Sequence, residues 1–252
     1  MHFESRHHYS GSLGREMYFN KYGHAGVPFI IFPSAGGSHN EFADFGMIDA
    51  CRRFIDAGLV QFYTPESIDS DSWLADYRSP WEQADWHNRY DSYIIHEFLP
   101  LIRHESQWGG KVSAAGCSLG AFHSVNFGLR HPDVFGIVIA MSGVYDARFF
   151  TGEYGDAMNV YENSPIDYLW QMHDPWFLDQ YRQNTYVISV GQGNWEEPHI
   201  ADTRRLQDAF AAKSIPGWFD YWGFDVPHDW EAWRQQMPYF LEQLNAQGKL
   251  HG

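Results

Sequence analysis

Lys111-Val-Ser-Ala-Ala-Gly-Cys-Ser-Leu-Gly-Ala-Phe-His-Ser-Val-Asn-Phe-Gly-Leu-Arg-His131 decides the fold. Lys111 to Ala115 suits a buried strand. Ala121 to His131 has helical spacing and stops at Pro132. Between them, Gly116-Cys-Ser-Leu-Gly120 puts a serine on a sharp strand-to-helix turn. Such a turn holds the serine in a strained conformation, so the residues two before and two after it must be small. The pentapeptide alone is a weak signal, and its weight comes from the strand before and the helix after. Read without chemistry, it is a tight turn whose Ser118 caps the helix.

Outward from this turn, Pro28-Phe-Ile-Ile-Phe-Pro33, Leu59-Val-Gln-Phe-Tyr63, Phe135 to Met141 and Tyr186 to Val190 are short, continuously apolar runs. They suit strands of a sheet covered on both faces. Helical patterns fall between them, at Met47 to Ala57, His87 to His104, Ala121 to His131, Thr203 to Lys213 and Asp229 to Gln247. In the last, Trp230, Trp233, Met237, Phe240, Leu241 and Leu244 share one face, and Asp229 caps its start. The alternation predicts an α/β class: a doubly wound, mostly parallel sheet flanked by helices. Gly14 to Tyr22 adds an antiparallel strand near the beginning. No repeat or linker divides residues 1–252, which read as a single domain.

The stretch 146–184 breaks the rhythm. Gly152, Gly155, Pro165 and Pro175 stand among Tyr161, Tyr168, Trp170, Trp176 and Phe177. It reads as an irregular excursion of short helices over the carboxyl edge of the sheet, where ligands bind in open α/β sheets. A loop packed on its own aromatics, or a homo-oligomer contact, is the rival reading. Aromatics reach 18% of the chain, with eleven tryptophans. They crowd Tyr154 to Tyr181 and Trp218 to Phe240, as core or as the wall of an apolar cleft.

Composition sets limits on partners. With 32 acidic against 17 basic residues, a net charge of −15 argues against a nucleic acid, which needs clustered Lys and Arg. No stretch approaches the apolar length that crosses a bilayer, and the first residues lack the apolar core of a signal peptide. The two cysteines, Cys51 and Cys117, do not suggest a structural disulfide. A cytoplasmic location is the expectation that follows.

A serine hydroxyl needs a base within hydrogen-bond reach. Of fourteen histidines, His228 ends the strand-like run Phe219 to Pro227 and stands just before a helix, where a base after the last strand belongs. His199 is its rival, although no strand end presents it. His123 reads as local packing, His7 and His8 precede the sheet, and His104 and His131 sit at helix ends. The acid should follow the strand Tyr186 to Val190, in Gly191-Gln-Gly-Asn-Trp-Glu-Glu-Pro198. Glu196 is the first candidate, Glu197 the second and Asp146 the third. For the oxyanion, one donor is the Leu119 N–H at the positive end of the helix. The other falls in Pro33-Ser-Ala-Gly-Gly37, with Ala35 N–H preferred over Ser34 and Gly36. No HExxH or Cys-x-x-Cys pair is present, so neither metal nor cofactor is expected.

These residues together resemble the esterase D and antigen 85-like family of α/β hydrolases, which includes S-formylglutathione hydrolases, feruloyl and siderophore esterases and mycolyltransferases. Ser12-Leu-Gly-Arg15, Phe32 to Gly37, Gly116 to Gly120, His131-Pro-Asp-Val-Phe135, Ser142-Gly-Val-Tyr-Asp146 and His228-Asp-Trp-Glu-Ala-Trp233 carry the resemblance over nearly the whole chain. It implies a serine hydrolase fold with Ser118 as nucleophile and His228 as base. The chain departs from the pattern twice: Pro33-Ser34 replaces the His-Gly of many relatives, and glutamates stand where aspartate is commoner. A serine carboxylesterase acting on a small-molecule ester is the expected function. Acyl transfer to a sugar, alcohol or thiol is the second reading, and a binding member without turnover the third.

Overall fold

The computed structural model describes residues 1–251. One eight-stranded sheet is built from β1 (Phe3–Ser10), β2 (Arg15–Tyr22), β3 (Val27–Phe32), β4 (Val60–Pro65), β5 (Val112–Cys117), β6 (Phe135–Met141), β7 (Thr185–Val190) and β8 (Trp218–Tyr221). The strand order is β1-β2-β4-β3-β5-β6-β7-β8. β1 pairs antiparallel with β2, and β2 with β4. All the other pairings are parallel.

The helices are α1 (Glu41–Asp44), α2 (Met47–Ala50), α3 (Arg52–Asp56), α4 (Pro80–Tyr93), α5 (Leu99–Ser106), α6 (Leu119–Arg130), α7 (Arg148–Thr151), α8 (Met158–Tyr161), α9 (Pro165–Gln171), α10 (Pro175–Gln183), α11 (Glu197–Ala212) and α12 (Trp230–Ala246). A π-helical turn, Ile94–Phe98, joins α4 to α5.

The central strands are apolar at successive positions because helices cover both faces of the sheet. Phe29, Ile31, Cys117, Ile139 and Met141 pack on one face against Met47, Phe54, Trp233, Phe240 and Leu241. Ile30, Phe32, Tyr63 and Ala114 point the other way, onto Tyr90, Phe98, Ile102 and Phe127. That second layer continues as Val138, Ala140 and Ile188 under Val125, Leu206 and Phe210.

Several boundaries differ from the sequence expectation. The stretch expected as one helix over 47–57 is two short helices separated at Cys51. α4 begins at Pro80, seven residues before the expected start. Ser79 and Glu82 form a reciprocal capping box there, with Pro80 in the first turn. α11 begins at Glu197 instead of Thr203, because Pro198 in its first turn starts a helix as readily as proline ends one. β1 was not expected. Its sequence, Phe-Glu-Ser-Arg-His-His-Tyr-Ser, lacks apolar alternation, and its register comes from full-length pairing with β2. The excursion consists of four short helices, α7 to α10.

β4 lies on one side of β3, and β5 to β8 follow on the other. The chain therefore changes direction across the sheet between β3 and β5, and their carboxyl ends open a crevice.

Candidate active site

Three loops meet at that crevice, and the first is the turn after β5. Ser118 has φ 55° and ψ −119°, a conformation that non-glycine residues rarely adopt. Both flanking glycines are forced by close approach. A Cβ on Gly116 would lie 2.5 Å from the backbone carbon of Gly120, and one on Gly120 would collide with the carbonyl oxygen of Phe32. α6 can start so near β3 only because neither residue has a side chain.

The other two loops are stitched to each other. Gln192 N–H donates to the carbonyl of Gly223 (3.2 Å), Gly193 N–H to that of Val226 (2.9 Å) and His228 N–H to that of Asn194 (3.0 Å). This ladder sets the loop after β7 against the loop after β8 and aligns their side chains. Nε2 of His228 lies 2.9 Å from Oγ of Ser118, and Nδ1 lies 3.2 Å from Oε2 of Glu196. Glu196 is fully buried. Its second oxygen, Oε1, accepts from the Ser142 hydroxyl (2.6 Å) and from Gly191 N–H (3.2 Å). Ser142 has φ 56° at the end of β6, and its hydroxyl also accepts from Trp233 Nε1 (3.1 Å).

The remaining acid candidates are placed elsewhere. Glu197 is exposed in the first turn of α11. Asp146 is ion-paired with Arg148 and Arg205, at 2.8 Å each. Burial pushes its carboxyl up, but the bonds from the two guanidinium groups hold it below the usual range. His199 does not contact Ser118 as a base would. Its ring lies flat on His228, with centroids 4.1 Å apart and planes 17° apart. Burial, then the neighbouring His228, pushes its imidazole down to about 4.

Sequence reasoning missed the brace of the Pro33–Gly37 loop, Glu41. Its carboxylate accepts from Ser34 N–H (2.7 Å) and from the Ser34 hydroxyl (2.5 Å), and burial pushes its carboxyl up. Ala35, the next residue, lines a cavity of about 290 Å³ together with Ser118 and Leu119. Leu119 N–H, first in α6, has no partner within the helix and is available to an oxyanion. Ser142 was noted only within the Ser142-Gly-Val-Tyr-Asp146 motif, and its bond to Glu196 was not foreseen.

Trp73, Leu74, Phe149 and Phe150 wall the same cavity. Trp73 lies outside both aromatic clusters marked in the sequence, whereas Phe149 and Phe150 belong to the 146–184 excursion, just ahead of its aromatic cluster. Tyr161, Tyr168, Phe177 and Tyr181 line a different recess, beside the end of α6. Trp233 and Phe240 pack into the core. Trp73 and Leu74 belong to the loop after β4, and Asp69 ties that loop to α6 through His123 Nε2, 2.8 Å away with both groups buried.

Glu196, His199 and His228 bring potential metal-ligating atoms within 4.8 Å of one another. Two imidazoles stacked face to face direct their lone pairs alongside each other, whereas a tetrahedral ion needs them to converge at about 2 Å. The set does not fit a metal. Among the described residues no helix is long and apolar enough to cross a membrane.

Residues 12–244 match the model of the family described as "Putative esterase". The chain belongs to this family. As a member it is a hydrolase acting on ester bonds. No curated protein matches it in sequence. Solved structures similar to this esterase include a ferulic acid esterase, 19% identical over 97% of this chain and 98% of that one, with a TM-score of 0.77. The S-formylglutathione hydrolase of Agrobacterium tumefaciens is 15% identical over 99% and 95%, at 0.74. MPT51 of Mycobacterium tuberculosis is 16% identical over 98% of each chain, at 0.71. At these identities the likeness is one of fold.

Proposed function

We propose that the chain is a serine carboxylesterase working through an acyl-enzyme. The observation that carries this reading is the continuous chain of contacts from Ser118 through His228 to Glu196 at the floor of an apolar cavity. Oγ of Ser118 attacks the ester carbonyl carbon while its proton passes to Nε2 of His228. Glu196 accepts from Nδ1–H, which fixes the tautomer and stabilises the imidazolium. Leu119 and Ala35 N–H groups face the developing oxyanion. Collapse of the tetrahedral intermediate breaks the bond to the alcohol, which leaves with the proton from His228. A water molecule then adds to the acyl-enzyme with His228 again taking the proton, and the carboxylic acid departs.

The walls point to the substrate. Trp73, Leu74, Val144, Phe149 and Phe150 suit a small or medium apolar acyl group. On the far side of Ala35 a second recess of about 430 Å³ is lined by Ser34, Ser38, Glu41, Asp44, Phe45 and Trp230 among others. Neither recess has a lysine or arginine in its lining. A leaving group bearing two carboxylates, such as glutathione, finds no counter-charge there, which favours an uncharged alcohol. Cys51 and Cys117 are both free and buried, in keeping with a reducing cytoplasm.

The test is Ser118→Ala assayed on a short p-nitrophenyl ester, with the melting temperature as the folding control. Hydrolysis is expected to vanish while the melting temperature holds. Retained turnover would remove Ser118 from the reaction.

A further inference from the structure

His199 is the one buried histidine of the crevice that the mechanism above leaves idle, and its placement is unusual for a polar side chain. The ring is buried, 8% exposed, in α11, one turn after Glu196. Its Nδ1 is buried with no hydrogen-bond partner among the described residues. Apart from a contact to the Gly143 backbone, the ring's main partner is His228, which its flat face covers at a centroid distance of 4.1 Å. Trp233 meets His228 edge-on, at 4.9 Å and 86°. The imidazole of His228 is thus gripped between a parallel ring and a perpendicular one.

Such a grip answers a weakness in the hydrogen-bonded relay. The carboxylate of Glu196 stands 3.2 Å from Nδ1, at the long end for a charge-assisted bond, and the glutamate side chain has one more rotatable bond than an aspartate. A ring held by that contact alone could swing about its Cα–Cβ bond and carry Nε2 away from Ser118. Misplacement of a reacting group by about 1 Å costs on the order of 100-fold in rate.

We infer that His199 is a positioning residue whose ring face, stacked on His228, holds the imidazole in line between Ser118 and Glu196. The inference rests on the triad reading given above. Because His199 is held uncharged by burial and by His228 alongside, its face also accommodates the imidazolium that forms during turnover, without like-charge repulsion.

Two substitutions separate the ring face from the ring nitrogens. His199→Phe keeps an aromatic face and removes both nitrogens. His199→Gln keeps polar atoms and removes the face. With p-nitrophenyl acetate, an acyl group too small to depend on the far cavity wall, His199→Phe is expected to retain kcat within about threefold. His199→Gln is expected to lower kcat about 10-fold to 100-fold, with KM within about threefold. The rate of Ser118 labelling by a fluorophosphonate, which reports nucleophile activation independently of the acyl group, should fall in parallel for Gln and hold for Phe. Equal loss in both variants, loss in Phe alone, or wild-type rates in both would each overturn the inference. Ser118→Ala, run alongside, isolates the triad reading: if that variant keeps turnover the triad itself is wrong. If it is inactive while His199→Gln is normal, only the role of His199 fails.

Discussion

The Ser142 hydroxyl donates to Oε1 of Glu196 across 2.6 Å, while Oε2 of the same carboxylate faces His228. A fully buried carboxylate must have its lone pairs occupied, and Ser142 supplies the shortest of the contacts that do so. Ser142→Ala leaves Gly191 N–H as the remaining donor to Oε1. The expected outcome is a loss of about 1–3 kcal/mol in urea unfolding, together with a fall in kcat as Glu196 loses its orientation. An unchanged unfolding midpoint would show that the hydroxyl is dispensable to the carboxylate.

Glu41 braces the Pro33–Gly37 loop by accepting both donors of Ser34. Glu41→Ala should loosen Ser34 and with it Ala35, whose N–H is the proposed second oxyanion donor. Loss of one oxyanion donor typically costs about 10²–10³ in kcat. Glu41→Gln keeps an acceptor for one of the two bonds and should recover part of that loss. Steady-state kinetics of the two variants test this, and equal activity in both would remove the brace from the argument.

Gly120 tolerates no side chain because its Cα faces the Phe32 carbonyl. Gly120→Ala is expected to destabilise the protein by about 3 kcal/mol or more, since β3 lies inside the sheet and α6 starts directly from the neighbouring β5, so the two cannot easily separate. Chemical denaturation measures it. A cost below 1 kcal/mol would mean the turn relaxes freely.

Acid stability carries the signature of His199. Its folded pKa of about 4 lies below the usual 6.5. The unfolded chain therefore takes up a proton at higher pH than the folded one. Stability is complete above about 6.5 and declines as the pH falls toward 4, by on the order of 3 kcal/mol in all. His199→Phe should flatten this part of the profile, as read from urea unfolding at pH 7 and pH 4.5. An identical decline in the variant would assign it to other groups, such as His87, which burial also pushes well down.

Asp146→Asn distinguishes a structural carboxylate from a catalytic one. Asp146 joins Arg148, next along the excursion, to Arg205 of α11, and Arg148 in turn reaches Asp167. The expected result is kcat within about threefold of wild type and a stability loss of about 1–2 kcal/mol. A hundredfold fall in kcat would reopen the question of which acid serves His228.

How far the sequence reaches can be seen at particular residues. The continuous apolar runs around Phe29 and Ile139 reveal a doubly covered sheet, because a strand buried on both faces leaves no room for alternation. Ser118 and His228 can be picked out as a candidate pair because Ser118 directly follows β5 and His228 stands in the loop between the last strand and α12. Glu41 and Ser142 cannot. Their value lies in contacts to Ser34 and Glu196, and no periodicity encodes a hydrogen bond across 54 residues. The cleft wall is misread for a related reason. Aromatic density marks the Tyr154–Tyr181 stretch, yet what decides lining is position at the carboxyl edge, which falls to Trp73 and Phe150.

One tie between the loop after β4 and the rest of the molecule is the buried Asp69–His123 pair, which includes none of Ser118, His228 and Glu196. Part of the cavity wall, Trp73 and Leu74, is thereby lodged in a stretch of the polymer separate from that trio. Trimming Leu74 would reshape the cavity without touching those three, whereas Phe149 borders His199 and is the riskier place to cut, so under the proposed reaction a preference for longer chains is open to evolution or engineering from the β4 side.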